Sequence, residues 1–262
     1  MEPDDFSLQT ARNQYQYPWV YVDALGGHMV RGVDHPRPAT EAQLALMTDT
    51  LWVERHRRLL SAAEDDKVLL GLVSVNYWGY YGSSSVERRP TPARALARAR
   101  WVRDGRPNTN GPVPLAAIAA QVRLARDRVG AGHFGQALQA INQVPEFGQM
   151  SFGSKVLMAM APERCGVYDS IIFASLQDAG PRWAGYVAHP NQGMNGRKAD
   201  VYQRWCELLA HRAQTMNAHG VEVSGWHPSG ERDTRRQAWR AVDVERAFFH
   251  TKDAAVLGVP IH

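Results

Sequence analysis

Two residues near the middle of the chain could do chemistry together. Lys155 follows a glycine turn in QMSFGSKVLMAMAPER, and Asp169 opens the next predicted helix in CGVYDSIIFASL, 14 residues further on. A lysine in apolar surroundings gives up its ammonium proton more readily than one in water, and the neutral amine is a nucleophile that forms Schiff bases. An aspartate facing it can hold positive charge that develops on a reacting carbon and can help move protons. Each residue alone has a plainer explanation. A lysine in the first turn of a helix belongs to the surface, and Asp169 is a good N-cap, worth on the order of 1 kcal/mol. The two in this order, behind a glycine-containing turn, favour the functional reading.

The elements that must position this pair are mostly helical. Leucines and a tryptophan recur at helical spacing over 39–60, ATEAQLALMTDTLWVERHRRLL. In PVPLAAIAAQVRLARDRVGAG, Leu115, Ile118, Val122, Ala125 and Val129 form one apolar stripe, with prolines at its start and glycines closing it. A short helix, HFGQALQAINQV, precedes the turn-rich PEFGQMSFG, and a further helix begins near Ser154. SIIFASLQDAG ends at Gly180–Pro181. Val201, Trp205, Leu208, Leu209, Ala213 and Met216 then share one face of a long helix closed by Gly220. A last helix, DTRRQAWRAVDVERAFFH, turns Ala238, Ala241, Val242, Phe248 and Phe249 inward. YPWVYV is the best strand signal and is short. The fold class expected is mainly α, with little or no sheet.

Bulk properties are those of a soluble globular chain. The 262 residues are 44% hydrophobic and 21% charged, enough to bury a core and unlike a disordered composition. Cys165 and Cys206 are too few for a disulfide framework or a four-cysteine metal site, so a reducing, cytoplasmic setting is expected. The acidic, polar start MEPDDFSLQTARNQ is unlike a secretory signal, and no run is apolar enough to suggest a membrane span. The net charge of +4 permits a polyanionic partner. ERRPTPARALARARWVRDGR gathers Arg88, Arg89, Arg94, Arg98, Arg100, Arg103 and Arg106, and ERDTRRQAWR is a second basic stretch. Such runs are usually solvated faces, though arginine is well suited to phosphate.

The motif MSFGSK, followed by CGVYD, resembles the helix-hairpin-helix DNA glycosylases, nearest to the lysine-bearing 8-oxoguanine DNA glycosylases and their bacterial relatives. The resemblance is specific over about thirty residues. It implies a two-lobed fold in three segments: an N-terminal helical lobe over 1–112, a helix-hairpin-helix core over 113–181, and C-terminal helices over 182–262 that pack back on the core. It also implies excision of a modified base from double-stranded DNA by base flipping, with Lys155 as nucleophile and Asp169 as its electrostatic partner. The amine would attack the sugar's C1′, and the resulting Schiff base would allow β-elimination and a strand nick.

By the same resemblance, Ser151, Phe152, Gly153 and Ser154 form a hairpin turn that holds a DNA phosphate. The resemblance implies a monovalent cation bound at the hairpin, although no cofactor is required, and a monomer is expected. The chain departs from the family pattern in three ways. The lysine–aspartate spacing is short, Met150 and Ser151 stand where proline and glycine are usual, and the base-reading residues cannot be matched. The substrate is therefore open between an oxidised guanine, in repair, and a hypermodified phage base, in defence. The alternative is a non-catalytic helix-hairpin-helix protein that only binds DNA.

NYWGYYG at 76–82 reads as a turn-like stretch whose Tyr77, Trp78, Tyr80 and Tyr81 could stack on a flipped base, or could simply belong to the core. The ten histidines form no metal-ligand motif, and no phosphate loop of the ATPase kind is present.

Overall fold

The computed structural model describes residues 3–15, 17, 19–25, 37–81, 92–106, 111–226 and 232–258. Gly82, Arg88 and Arg89 of the motifs above lie outside them, as does the side chain of Arg94. The N-terminal half runs α1 (Pro3–Gln14), β1 (Val22–Ala24), β2 (Arg37–Pro38), α2 (Glu41–Leu44), α3 (Asp49–Leu60), α4 (Asp65–Tyr81) and α5 (Pro92–Asp104). The rest runs α6 (Leu115–Gly130), α7 (Phe134–Ile141), α8 (Met150–Met160), α9 (Ser170–Asp178), α10 (Gly196–Ala218), β3 (Val223–Trp226), β4 (Arg232–Gln237) and α11 (Ala241–Thr251). The protein is mainly α; among the described residues the strands form only two two-stranded antiparallel sheets. No described helix is long and apolar enough to cross a membrane.

Helix α8 is the central element. It packs on α3, α4, α6 and α7, and nearly all of its side chains are buried. α10 lies across α7 and α11, and α1 lies along α11, which brings the first and last described α-helices together. The stripe on α6 is buried at Ile118, Val122, Ala125 and Val129, as its spacing requires, and the long helix buries Val201, Trp205, Leu208, Leu209, Ala213 and Met216.

Four local expectations change. The single helix read over 39–60 is two, because Thr48 caps α3 by accepting from the Leu51 N–H at 3.1 Å and thereby starts a new helix. NYWGYY is the end of α4 and not a turn: its apolar residues are buried on several sides at once, and tertiary burial overrides the glycine. MSFGSK is likewise helical, since α8 begins at Met150, four residues before the expected start. DTRRQ is strand β4, paired with β3 through Val223↔Gln237, so the last helix begins only at Ala241 and leaves Ala238 exposed. The acidic start forms α1, which buries Leu8 and Ala11, and YPWVYV turns to strand only at Val22.

A buried ionic cluster ties α1, α3 and α11 together. Arg12 bonds Asp49 and, at 2.9 Å, Asp243; Arg246 reaches Asp49 at 3.0 Å, and Arg240 reaches Asp243 at 2.8 Å. The three arginines hold the Asp243 carboxyl well below the usual carboxylate range.

Candidate active site

Helix α8 carries Lys155 on a face turned into the protein, and the residue is only 7% exposed. Its Nζ donates to the Ser151 carbonyl one turn back, at 3.0 Å, and lies 5.3 Å from the centre of the Phe152 ring. Gly79 of α4 makes room for it. A methyl group there would come within 2.9 Å of Phe152 Cε1 and 3.1 Å of Lys155 Cδ. No ion pair among the described residues includes Lys155. Burial lowers its pKa below the ordinary lysine value, and the fields of Asp169 and Glu245 offset this in part.

Asp169 is the N-cap of α9, its Oδ1 accepting from Ile171 at 2.9 Å and Ile172 at 3.1 Å. The plain reading of Asp169 as an N-cap holds, and the cap fixes its carboxylate within the field of Lys155. The segment 165–168 that delivers it runs between α8 and α11. The Tyr168 N–H donates to Ser154 Oγ at 3.0 Å, and the Tyr168 hydroxyl donates to the Tyr186 carbonyl at 2.6 Å. Gly166 is required where the segment crosses α11, since a Cβ there would approach Glu245 Cβ to 2.9 Å.

Glu245 is the group that the sequence reading missed. It is 3% exposed, and burial pushes its pKa up to about 8, with the Asp169 charge adding to the rise and Arg246, Lys155 and the Val167 N–H opposing it. A signal was present: Ala241, Glu245 and Phe248 recur at helical spacing, which places a carboxylate in an inward stripe. Three ionisable side chains from α8, the start of α9 and α11 thus converge, and the lysine and Glu245 are both biased towards their uncharged forms.

The residues expected at the hairpin lie elsewhere in structural terms. The turn between α7 and α8 is 142–149, where the Asn142 side-chain amide donates to the carbonyls of Phe147 and Gln149. Gly153 lies within α8 and lets α7 come close, a Cβ there meeting Leu138 Cδ1 at 2.7 Å. Ser151 and Ser154 are buried, and Phe152 is half-buried. Of the aromatic set, Tyr77 and Trp78 are buried, Trp78 packing on Trp52 at 4.6 Å between ring centres, whereas Tyr80 and Tyr81 are half-buried. Tyr80 meets Phe152 at 4.6 Å, and the two rings wall a cleft of about 560 Å³ that also takes in Arg106, Asn142 and Gln149. Phe152 thus borders the cleft and also lies beside Lys155.

Comparison with protein-family models, with curated proteins and with solved structures returns no match to this chain.

Proposed function

We propose that the protein is a DNA glycosylase that removes a modified base through a Schiff-base intermediate on Lys155, with a following β-elimination. One observation carries the reading. Lys155 is a buried lysine with no ion-pair partner among the described residues and a lowered pKa, set in the field of an aspartate fixed at a helix cap. That is the environment an amine needs in order to attack C1′ near neutral pH. Among the described residues only Oδ1 of Asp169 accepts hydrogen bonds, those of the cap, which would leave Oδ2 for the developing positive charge. The half-buried Tyr80 and Phe152 beside the cleft are suited to stacking on an extruded base.

The second reading, a non-catalytic protein that binds duplex DNA, is favoured by the low exposure of Lys155 and its bond to a helix carbonyl. Borohydride trapping separates the two. Duplexes carrying an abasic site, 8-oxoguanine or glucosylated hydroxymethylcytosine are incubated with wild type and with Lys155→Gln. A covalent adduct with wild type alone is expected, on the abasic duplex at least, and a base-containing duplex that traps names the substrate. Duplex binding without an adduct on any of the three would overturn the lysine chemistry and leave the binder or a monofunctional glycosylase, which base release then separates.

A further inference from the structure

The fold buries a second lysine, and its surroundings differ from those of the first. A cavity of about 290 Å³ lies where the loop 187–195 meets the start of α10, with Phe173, Val187 and Ala188 on its apolar side. Its polar lining is His189, Gln192, Asn195, Arg197 and Lys198, with no carboxylate among them. Lys198 is 4% exposed and spends one of its three protons on the Gln192 carbonyl at 2.7 Å. No ion pair among the described residues includes it. Burial alone draws its pKa below the ordinary lysine value, with no acid opposing.

An ammonium taken out of water without a counter-charge is held at a cost, and an anion in the cavity would remove that cost. The start of α10 adds donors. The Asn195 side chain accepts from the Lys198 N–H at 3.0 Å, while the amides of Gly196 and Arg197, in the first turn, have no intrahelical partner. His189 Nδ1 accepts from the Asn191 N–H at 3.3 Å, so the neutral ring carries its proton on Nε2 and is a donor there.

We propose that this cavity binds a phosphate group, held by Lys198 Nζ, the Arg197 guanidinium and the first amides of α10. It takes the role that the sequence reading gave to the turn at Gly153. Phe173 follows Asp169 by one turn of α9, and Gln149, the N-cap of α8, donates to the Asn191 carbonyl at 2.8 Å. A backbone phosphate seated here would therefore lay a DNA strand beside the Lys155–Asp169 pair. The site rests on the proposed function only for what carries the phosphate.

The test measures affinity for an undamaged duplex across a salt series with wild type, Arg197→Ala, Lys198→Gln and, as a control, Arg128→Ala at an exposed position on α6. In parallel, the thermal shift given by inorganic phosphate is read for each protein. The expected result is a salt slope lowered by about 0.9 for each lost phosphate contact in the two site variants and unchanged in the control. An unchanged slope, with phosphate stabilising wild type but not Arg197→Ala, keeps the site and assigns it to a free phosphate. Slopes and shifts that match wild type in the site variants overturn it. Should Lys198→Gln fail to fold, the exposed Arg197 decides alone. None of these readouts uses the covalent chemistry of Lys155, so the site and the glycosylase reading fail separately.

Discussion

Around Arg12 every buried charge touches an opposite one, whereas around Lys155 the ionisable groups share a field without an ion pair among the described residues. The first cluster joins α1, α3 and α11 through Asp49, in contact with two arginines, and Asp243, in contact with three. The second brings Lys155, Asp169 and Glu245 from three elements into a common field, yet none of them makes an ion pair among the described residues. Both clusters incur desolvation. In the first, opposite charges in contact offset it, which fixes the charge states and leaves a structural tie. In the second, the pKa values move towards the neutral forms instead, Lys155 below the ordinary lysine value and Glu245 up to about 8.

The largest effect should come from breaking the paired cluster. Asp49→Ala leaves Arg12 and Arg246 each short of a partner, and a loss of about 3–5 kcal/mol in urea unfolding is expected. Borohydride trapping per folded molecule should hold. A loss below about 1 kcal/mol would remove the structural role given to the cluster.

A second change sharpens the contrast through pH. The folded pKa of Glu245, about 8, stands above its ordinary value of 4.5, so the stability it contributes is full below 4.5 and lost as pH rises through about 8. Asp243 is depressed and behaves in the opposite way, its contribution being lost as pH falls. Glu245→Gln should therefore flatten the decline of wild type between about pH 4.5 and 8, with a relative gain on the order of a few kcal/mol at pH 9, read by thermal unfolding across pH. Parallel curves for the two proteins would show that Glu245 is not held in its neutral form.

The smallest effect concerns the room left for the lysine. Gly79→Ala and Gly153→Ala both overfill close contacts on α8 and should each cost about 1–3 kcal/mol. Only Gly79→Ala, which presses on Phe152 and Lys155, should also slow trapping. Equal trapping rates would mean that the gap at Gly79 serves packing alone.

Much of the helical order was legible from sequence. The stripes of α6 and α10 need only a period of 3.6, and a helix that buries one face must show it. The segment NYWGYY was misread because a helix buried on several sides shows no such stripe, and its glycine resembles a turn signal until Phe152 and Lys155 fill the space beside it. Strand β4 was misread because DTRRQ has no apolar alternation and is extended only by virtue of its pairing with β3.

The same division runs through the candidate site. The sequence by itself determined that a short apolar helix carries the lysine and that Asp169 starts the next one, because capping and apolar spacing are local properties of the chain. Only the tertiary structure decided that Lys155 lies buried without an ion pair among the described residues, that Gly153 joins two helices instead of turning the chain, and that Glu245 and Lys198 are buried as well. Burial and electrostatic field are sums over residues distant in sequence, so a single stretch of chain carries no record of them.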